Sequence, residues 1–180
     1  MSVVAIQGVK GSYSEEATQK ILGGDAEILE CSDFEAAFSA VEHGIAAWAV
    51  IPVENKIVGE IEIPQRLLKQ SSLRILERLP LEVRHILAGT PDAEFENLTS
   101  VRSHVEALKQ CQRFLSSHKN ITQIIGADTA SSVRRIVDEN ILVNAAIGSR
   151  RAAELYGAKI LRENIADDIE NWTTFYLIGN

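Results

Sequence analysis

A chain of 180 residues, 46% hydrophobic and 24% charged with four prolines and eleven glycines, can bury a sizeable core and is neither disordered nor collagen-like. Its net charge of -7 argues against nucleic acid as a partner, although a local cationic or N–H-lined pocket can still hold a small anion. Cys31 and Cys111 stand far apart without companions at metal-ligand spacing, which predicts buried free thiols, a reducing compartment and no disulfide framework.

Met1-Ser2 passes directly into Val3-Val4-Ala5-Ile6, with no basic region ahead of a long apolar one and no stretch able to span a bilayer. A cytoplasmic location and no membrane partner are expected. Residues 3–6 read as a short buried strand. Gly8 and Gly11 then permit a tight turn, and Ser14 can cap a helix that begins at Glu15 and stops at Gly23-Gly24. The amino end of that helix can offer N–H groups to an anion, with the Ser12 and Ser14 hydroxyls nearby, although such turns also occur simply as turns. Residues 26–31 suggest the next strand, and Asp33 caps a helix in which Phe34, Ala37, Phe38 and Val41 share an apolar face. After Gly44, residues 45–53 form a third strand that breaks abruptly into Glu54 and Asn55, the polar delivery expected at the carboxyl edge of an open α/β sheet. This β-α-β-α-β order predicts a parallel sheet with right-handed crossovers.

Residues 60–70 can form a helix, 73–79 alternate like a partly exposed strand, and 81–88 resume an apolar strand after Pro80. At Ser103 the spacing to Glu106 is that of a capping box, opening a helix whose apolar face runs through Ala107, Leu108, Cys111, Phe114 and Leu115. Residues 121–126 make a strand candidate, Asp128 or Thr129 starts another helix, and residues 145–147 another buried strand. Gly148-Ser149 opens a helix that ends at Gly157. A polar passage leads to the closing strand, Trp172 through Ile178. No repeat of twenty residues or more is present, which excludes a solenoid.

Several of these segments, in one order over nearly the whole chain, resemble the catalytic domain of prephenate dehydratase. Gly8-Val9-Lys10-Gly11-Ser12-Tyr13-Ser14 is similar to the family's Gly-Pro-x-Gly-Thr-Phe-Ser, and Pro52-Val53-Glu54-Asn55-Lys56 with Gly59 to its Pro-Ile/Val-Glu-Asn-Ser followed by glycine. Ser103-His104 with Ala107-Leu108 and Gln110-Cys111 matches a Ser-His-Pro-Gln-Ala-Leu region, with Val105 at the proline position. Further matches are residues 145–147 through 152–157, and Asn164-Ile165 with Asp167 and Asn171 ahead of the terminal signature. That signature departs from the family: Thr173-Thr174-Phe175 stands where Thr-Arg-Phe is usual. Lys56 replaces a serine, and Ala130-Ser131 lies where a Thr-Ser-Thr-Ala pattern is favoured. Loss of a guanidinium near a dianionic ligand removes a planar bidentate donor that lysine only partly replaces.

The resemblance implies an α/β fold of two lobes resembling type II periplasmic binding-protein lobes with a central ligand cleft. It places residues 1–79 and 162–180 in the first lobe and 80–161 in the second. It also implies a homodimer, with no downstream ACT regulatory domain expected after Phe175. The reading is of a cofactor-free protein acting on prephenate, and His43, His85, His104 and His118 have no spacing that argues for zinc, nor does an acidic cluster demand magnesium. A branch of the superfamily decarboxylates prephenate without dehydration, giving a non-aromatic dihydro-4-hydroxyphenylpyruvate, and the altered signature favours that branch. The alternatives are ordinary dehydration to phenylpyruvate, CO2 and water, and a catalytically inactive small-anion binding protein.

On this reading Thr173, Glu54 and His104 are the candidates for chemistry. Thr173 is the family-mapped position, Glu54 can transfer a proton or secure its turn, and a neutral histidine can give or take one. Ser12, Ser14, Asn55, Lys56, Ser103, Thr129, Ser131, Thr174 and Phe175 are candidate substrate contacts. Several have a plain structural rival: strand propensity for Thr173 and Thr174, helix capping for Ser103, Thr129 and Ser131, and a solvated lysine for Lys56.

Overall fold

Val4, Ala5 and Ile6 are all fully buried, so the strand that carries them must be covered on both faces. The computed structural model describes residues 2–180 and places this strand, β1 (Val3–Gln7), inside a sheet between two helical layers. The chain up to Val83 together with Glu170–Asn180 forms one unit, and Arg84–Ile169 forms another.

In the first unit, α1 (Tyr13–Leu22), β2 (Glu27–Cys31), α2 (Phe34–Glu42) and β3 (Trp48–Asn55) follow β1, which pairs in parallel with both β2 and β3. The expected β-α-β-α-β arrangement is present. Then come β4 (Gly59–Glu60), α3 (Glu62–Gln70) and β5 (Arg74–Glu82); the closing strand β11 (Trp172–Gly179) inserts antiparallel between β3 and β5. The sheet order is β2-β1-β3-β11-β5, with β4 hanging on β3. Alternation divides the core: Val4, Ile6, Val50, Leu81, Phe175 and Leu177 pack with Ala17 of α1, whereas Ala5, Ala49, Ile51, Val53 and Ile178 pack with Ala37, Phe38 and Val41 of α2.

The second unit runs β6 (Ile86–Gly89), a single 3-10 turn (Phe95–Asn97), β7 (Ser100–Ser103), α4 (Val105–Gln110), α5 (Gln112–Ser116), β8 (Thr122–Ile125), α6 (Thr129–Glu139), β9 (Asn144–Gly148), α7 (Arg150–Tyr156) and β10 (Lys159–Arg162). Its sheet order is β10-β6-β9-β7-β8. Leu87, Leu98, Val101, Leu108, Cys111, Leu115, Ile147 and Leu161 fill its core. Among the described residues no helix is long and apolar enough to cross a membrane.

Several local expectations are corrected. Helix α1 starts at Tyr13 because Ser12, not Ser14, accepts the Glu15 N–H. Pro80 does not separate two strands: β5 runs through it to Glu82, which an edge strand tolerates. Ser103 does not open a helix; it ends β7, and the capping position passes to His104. The apolar helical face beyond it is broken at Cys111, where φ of -116° interrupts α4 and α5. The chain leaves the first unit at Val83 and returns at Glu170, whereas the sequence reading set these crossings at 79/80 and 161/162. Pairing of β5 with β11 holds the first crossing back; the second is delayed because Ile165 and Asp167 bond to His85 and Gln110 of the second unit.

Candidate active site

Strand β3 ends on Asn55, whose side chain is nearly buried and organises the turn that follows. Its Oδ1 accepts the backbone N–H groups of Ile57 at 3.0 Å and Val58 at 3.1 Å, bending the chain into β4. Its Nδ2 donates to Asn171 Oδ1 and Thr173 Oγ1, both at 2.8 Å, and lies 3.2 Å from the Trp172 carbonyl. An amide has two hydrogens and two acceptor positions, so the chain itself occupies the groups that the sequence reading offered to a ligand.

The register of β11 brings the terminal signature to this point. Thr173 stands opposite Asn55 and Thr174 opposite Glu54; a bulge then skips Val53, so that Phe175 faces Pro52. Thr173 is 7% exposed, and its hydroxyl oxygen takes the Asn55 hydrogen. The hydroxyl's own hydrogen goes to no acceptor among the described residues. Thr173 is thereby left as a donor held from behind. Thr174 is half-buried between Glu54 and Pro80 on the flanking strands.

Phe175 is not placed to bind a ligand: at 2% exposure it belongs to the core with Val4, Ile6 and Leu81 and seats the strand that carries Thr173. Lys56 is also engaged, in an ion pair with Glu170 at 2.8 Å, both partners being exposed. Glu54 on β3 is exposed and stands opposite Glu60 on β4, a like-charged register pair that costs stability, with both residues facing water.

The glycine turn is arranged differently from the anion seat expected there. Gly8 and Gly11 take φ of 96° and 86°, conformations that favour glycine. The Gly11 N–H donates to Glu15 Oε2 at 2.5 Å, and the Lys10 N–H donates to Glu30 Oε1 at 2.7 Å. The chain's own carboxylates therefore sit where an external anion was expected. Ser12 is the helix cap; Ser14 is buried, with its carbonyl accepting the Thr18 hydroxyl at 2.8 Å.

In the second unit Ser103 is fully buried and donates its hydroxyl to the Ile147 carbonyl at 2.7 Å, tying β7 to β9. It is a structural donor. His104, half-buried, accepts the Glu106 N–H on Nδ1 at 3.3 Å, a bond that leaves Nε2 as the place for the ring hydrogen. Thr129 opens α6 and is half-buried. Ser131 gives both its backbone N–H and its hydroxyl to the Asp128 carboxylate at 2.7 Å, so it completes a cap.

Two polar residues outside the expected set emerge, and Cys111 is the buried thiol that the sequence predicts. Asn171 is completely buried beside Asn55; its place two residues before Thr173, the same-face spacing of a strand, was the available signal. His85 is also buried, 2.8 Å from Gln110 through Nε2, and burial pushes its pKa down so that the ring stays neutral. Cys111 is buried with its thiol pushed up to about 12 by burial and then by Asp167, which makes it unreactive.

The family model described as prephenate dehydratase matches residues 4–180. The chain is 42% identical over 177 residues to arogenate dehydratase 1 of Petunia hybrida, a match covering 98% of this chain and 42% of that protein. It is 36% identical over 174 residues to a prephenate dehydratase of Methanocaldococcus jannaschii, covering 94% of this chain and 62% of that one. The solved structure of a prephenate dehydratase from Arthrobacter aurescens in complex with L-Phe superposes with a TM-score of 0.90 at 25% identity, over 99% of this chain and 60% of that chain. The chain thus spans less than half of the plant relative and less than two thirds of the other two.

Proposed function

The chain belongs to the prephenate dehydratase family, and from that premise we propose that it decarboxylates prephenate while retaining the ring hydroxyl. The observation that carries this reading is Thr174, a half-buried neutral side chain in the signature position where the family has arginine. Lys56, the one cation of the adjoining turn, is paired with Glu170 and does not restore the missing charge. A ring carboxylate without a strong cationic partner is less stabilised in the ground state, and loss of CO2 benefits.

In the proposed reaction the bond from the ring to its carboxylate breaks and CO2 leaves. The electron pair forms a new ring double bond, the neighbouring alkene shifts, and its far carbon takes up one proton. The ring hydroxyl stays in place. Thr173 contributes a hydroxyl hydrogen, aimed by Asn55 from behind, that can hold a substrate oxygen; at an ordinary hydroxyl acidity it binds and orients rather than ionises. His104 with its Nε2 hydrogen and the exposed Glu54 carboxylate are the groups proposed for the proton step.

A second reading, dehydration to phenylpyruvate, is supported by that same Thr173 hydrogen, which a departing hydroxyl could accept, and by the names of the relatives. Incubation with prephenate near neutral pH, followed by product mass and aromatic ultraviolet absorbance, separates the two. Decarboxylation predicts loss of CO2 alone and no aromatic absorbance. Phenylpyruvate would reject it, and tight binding without conversion would point to the inactive binding protein.

A further inference from the structure

Asn171 joins two parts of the chain that meet at the candidate site. Its backbone carbonyl accepts the N–H of Val83, the residue at which the chain leaves the first unit. Its side-chain oxygen accepts from Asn55 Nδ2 at 2.8 Å, and the residue has no solvent exposure. The direction of this bond is fixed by its surroundings. Two backbone N–H donors determine that the end of Asn55 facing Ile57 and Val58 is the oxygen, so the end facing Asn171 is the NH2 group. The group presented by Asn171 must then be its oxygen.

The consequence reaches Thr173 through one amide plane. Asn55 is held on one side by the turn and on the other by Asn171, and in that orientation its NH2 group reaches Thr173 Oγ1. With that lone pair engaged, the hydroxyl hydrogen is confined to the remaining directions, none of which meets an acceptor among the described residues. We propose that Asn171 is a positioning residue: acting through Asn55, it sets the direction in which Thr173 donates its hydrogen to the substrate. This rests on the reading that Thr173 touches prephenate. It does not require Asn171 to touch anything but the chain.

The test is a cycle of Asn171→Ala, Thr173→Ala and the double variant, followed by single-turnover product formation with protein in excess and corrected for folded fraction by circular dichroism. Asn171→Ala is expected to slow the reaction by about 10- to 100-fold when Thr173 is present. In the Thr173→Ala background it should change the rate by less than about twofold, because the hydroxyl it orients is gone. Equal losses in both backgrounds, or no loss, overturn the inference while leaving the proposed function standing. A wild-type chain inert toward prephenate overturns both. Should Asn171→Ala not fold, Asn171→Asp keeps an oxygen facing Asn55: a rate within about threefold of wild type supports the inference, and a loss as large as that of Thr173→Ala overturns it.

Discussion

At the scale of single residues, the site is an arrangement of hydrogen-bond directions rather than of charges. The Asn55 side chain makes five polar contacts within the chain: its oxygen accepts two turn N–H groups, and its two amide hydrogens are shared among Asn171 and the first two residues of β11. Replacing it by alanine leaves buried donors and acceptors unmatched and is expected to lower stability by about 2–4 kcal/mol, read from denaturant midpoints; a change under about 0.5 kcal/mol would show that these bonds are readily exchanged for water. Thr174→Arg restores the family's guanidinium. On the decarboxylase reading it should move product toward phenylpyruvate, whereas an unchanged product would mean that Thr174 does not set the outcome. His85 adds a pH dependence. Burial lowers its folded pKa below the ordinary value near 6.5, so the unfolded chain binds the proton first as the pH falls through that value. Stability present above about pH 6.5 is then lost below it, by up to roughly 1.4 kcal/mol per pH unit until the folded ring protonates. Unfolding temperatures between pH 7 and 5 should therefore fall more steeply for wild type than for His85→Gln; equal slopes would assign the dependence to other groups.

At the scale of elements, the parts legible in the sequence were those with a strong local signal. Asp33 and Asp128 cap their helices where expected, and the continuous apolar runs of β1 and β3 needed no tertiary information. Strand β7 escaped because Val101 is its only apolar residue, and Ser103 imitated a helix cap while its hydroxyl served β9 instead. The two-residue strand β4 follows a turn that Asn55 holds against β3, and Asn55 is itself bonded to Asn171, 116 residues along the chain. For the same reason Thr173 and Asn55 were legible as individual candidates, whereas the bond between them was not. Packing at the start of α6 offers a check. A Cβ on Gly148 would lie 2.5 Å from Val133 Cγ2 and 3.3 Å from the Thr129 carbonyl oxygen. Gly148→Ala should therefore destabilise by about 1–3 kcal/mol in thermal or chemical unfolding, and a neutral effect would mean that α6 yields easily.

At the scale of the whole molecule, two α/β units have formed from one chain whose first and last segments share a sheet. The placement of β11 between β3 and β5 is what carries the terminal Thr173-Thr174-Phe175 to Asn55, so the chemistry proposed for this family member depends on the closing strand being in register. The family is fixed by a match across residues 4–180, and the reaction proposed for the chain turns on whether a hydroxyl is kept or lost. The most direct measurement is a proton NMR time course of the wild-type chain with prephenate in deuterium oxide. The account predicts loss of prephenate signals, a retained carbinol proton, ring alkene signals and one deuterium incorporated at a ring carbon. Aromatic multiplets of phenylpyruvate growing at the rate of prephenate loss would contradict it.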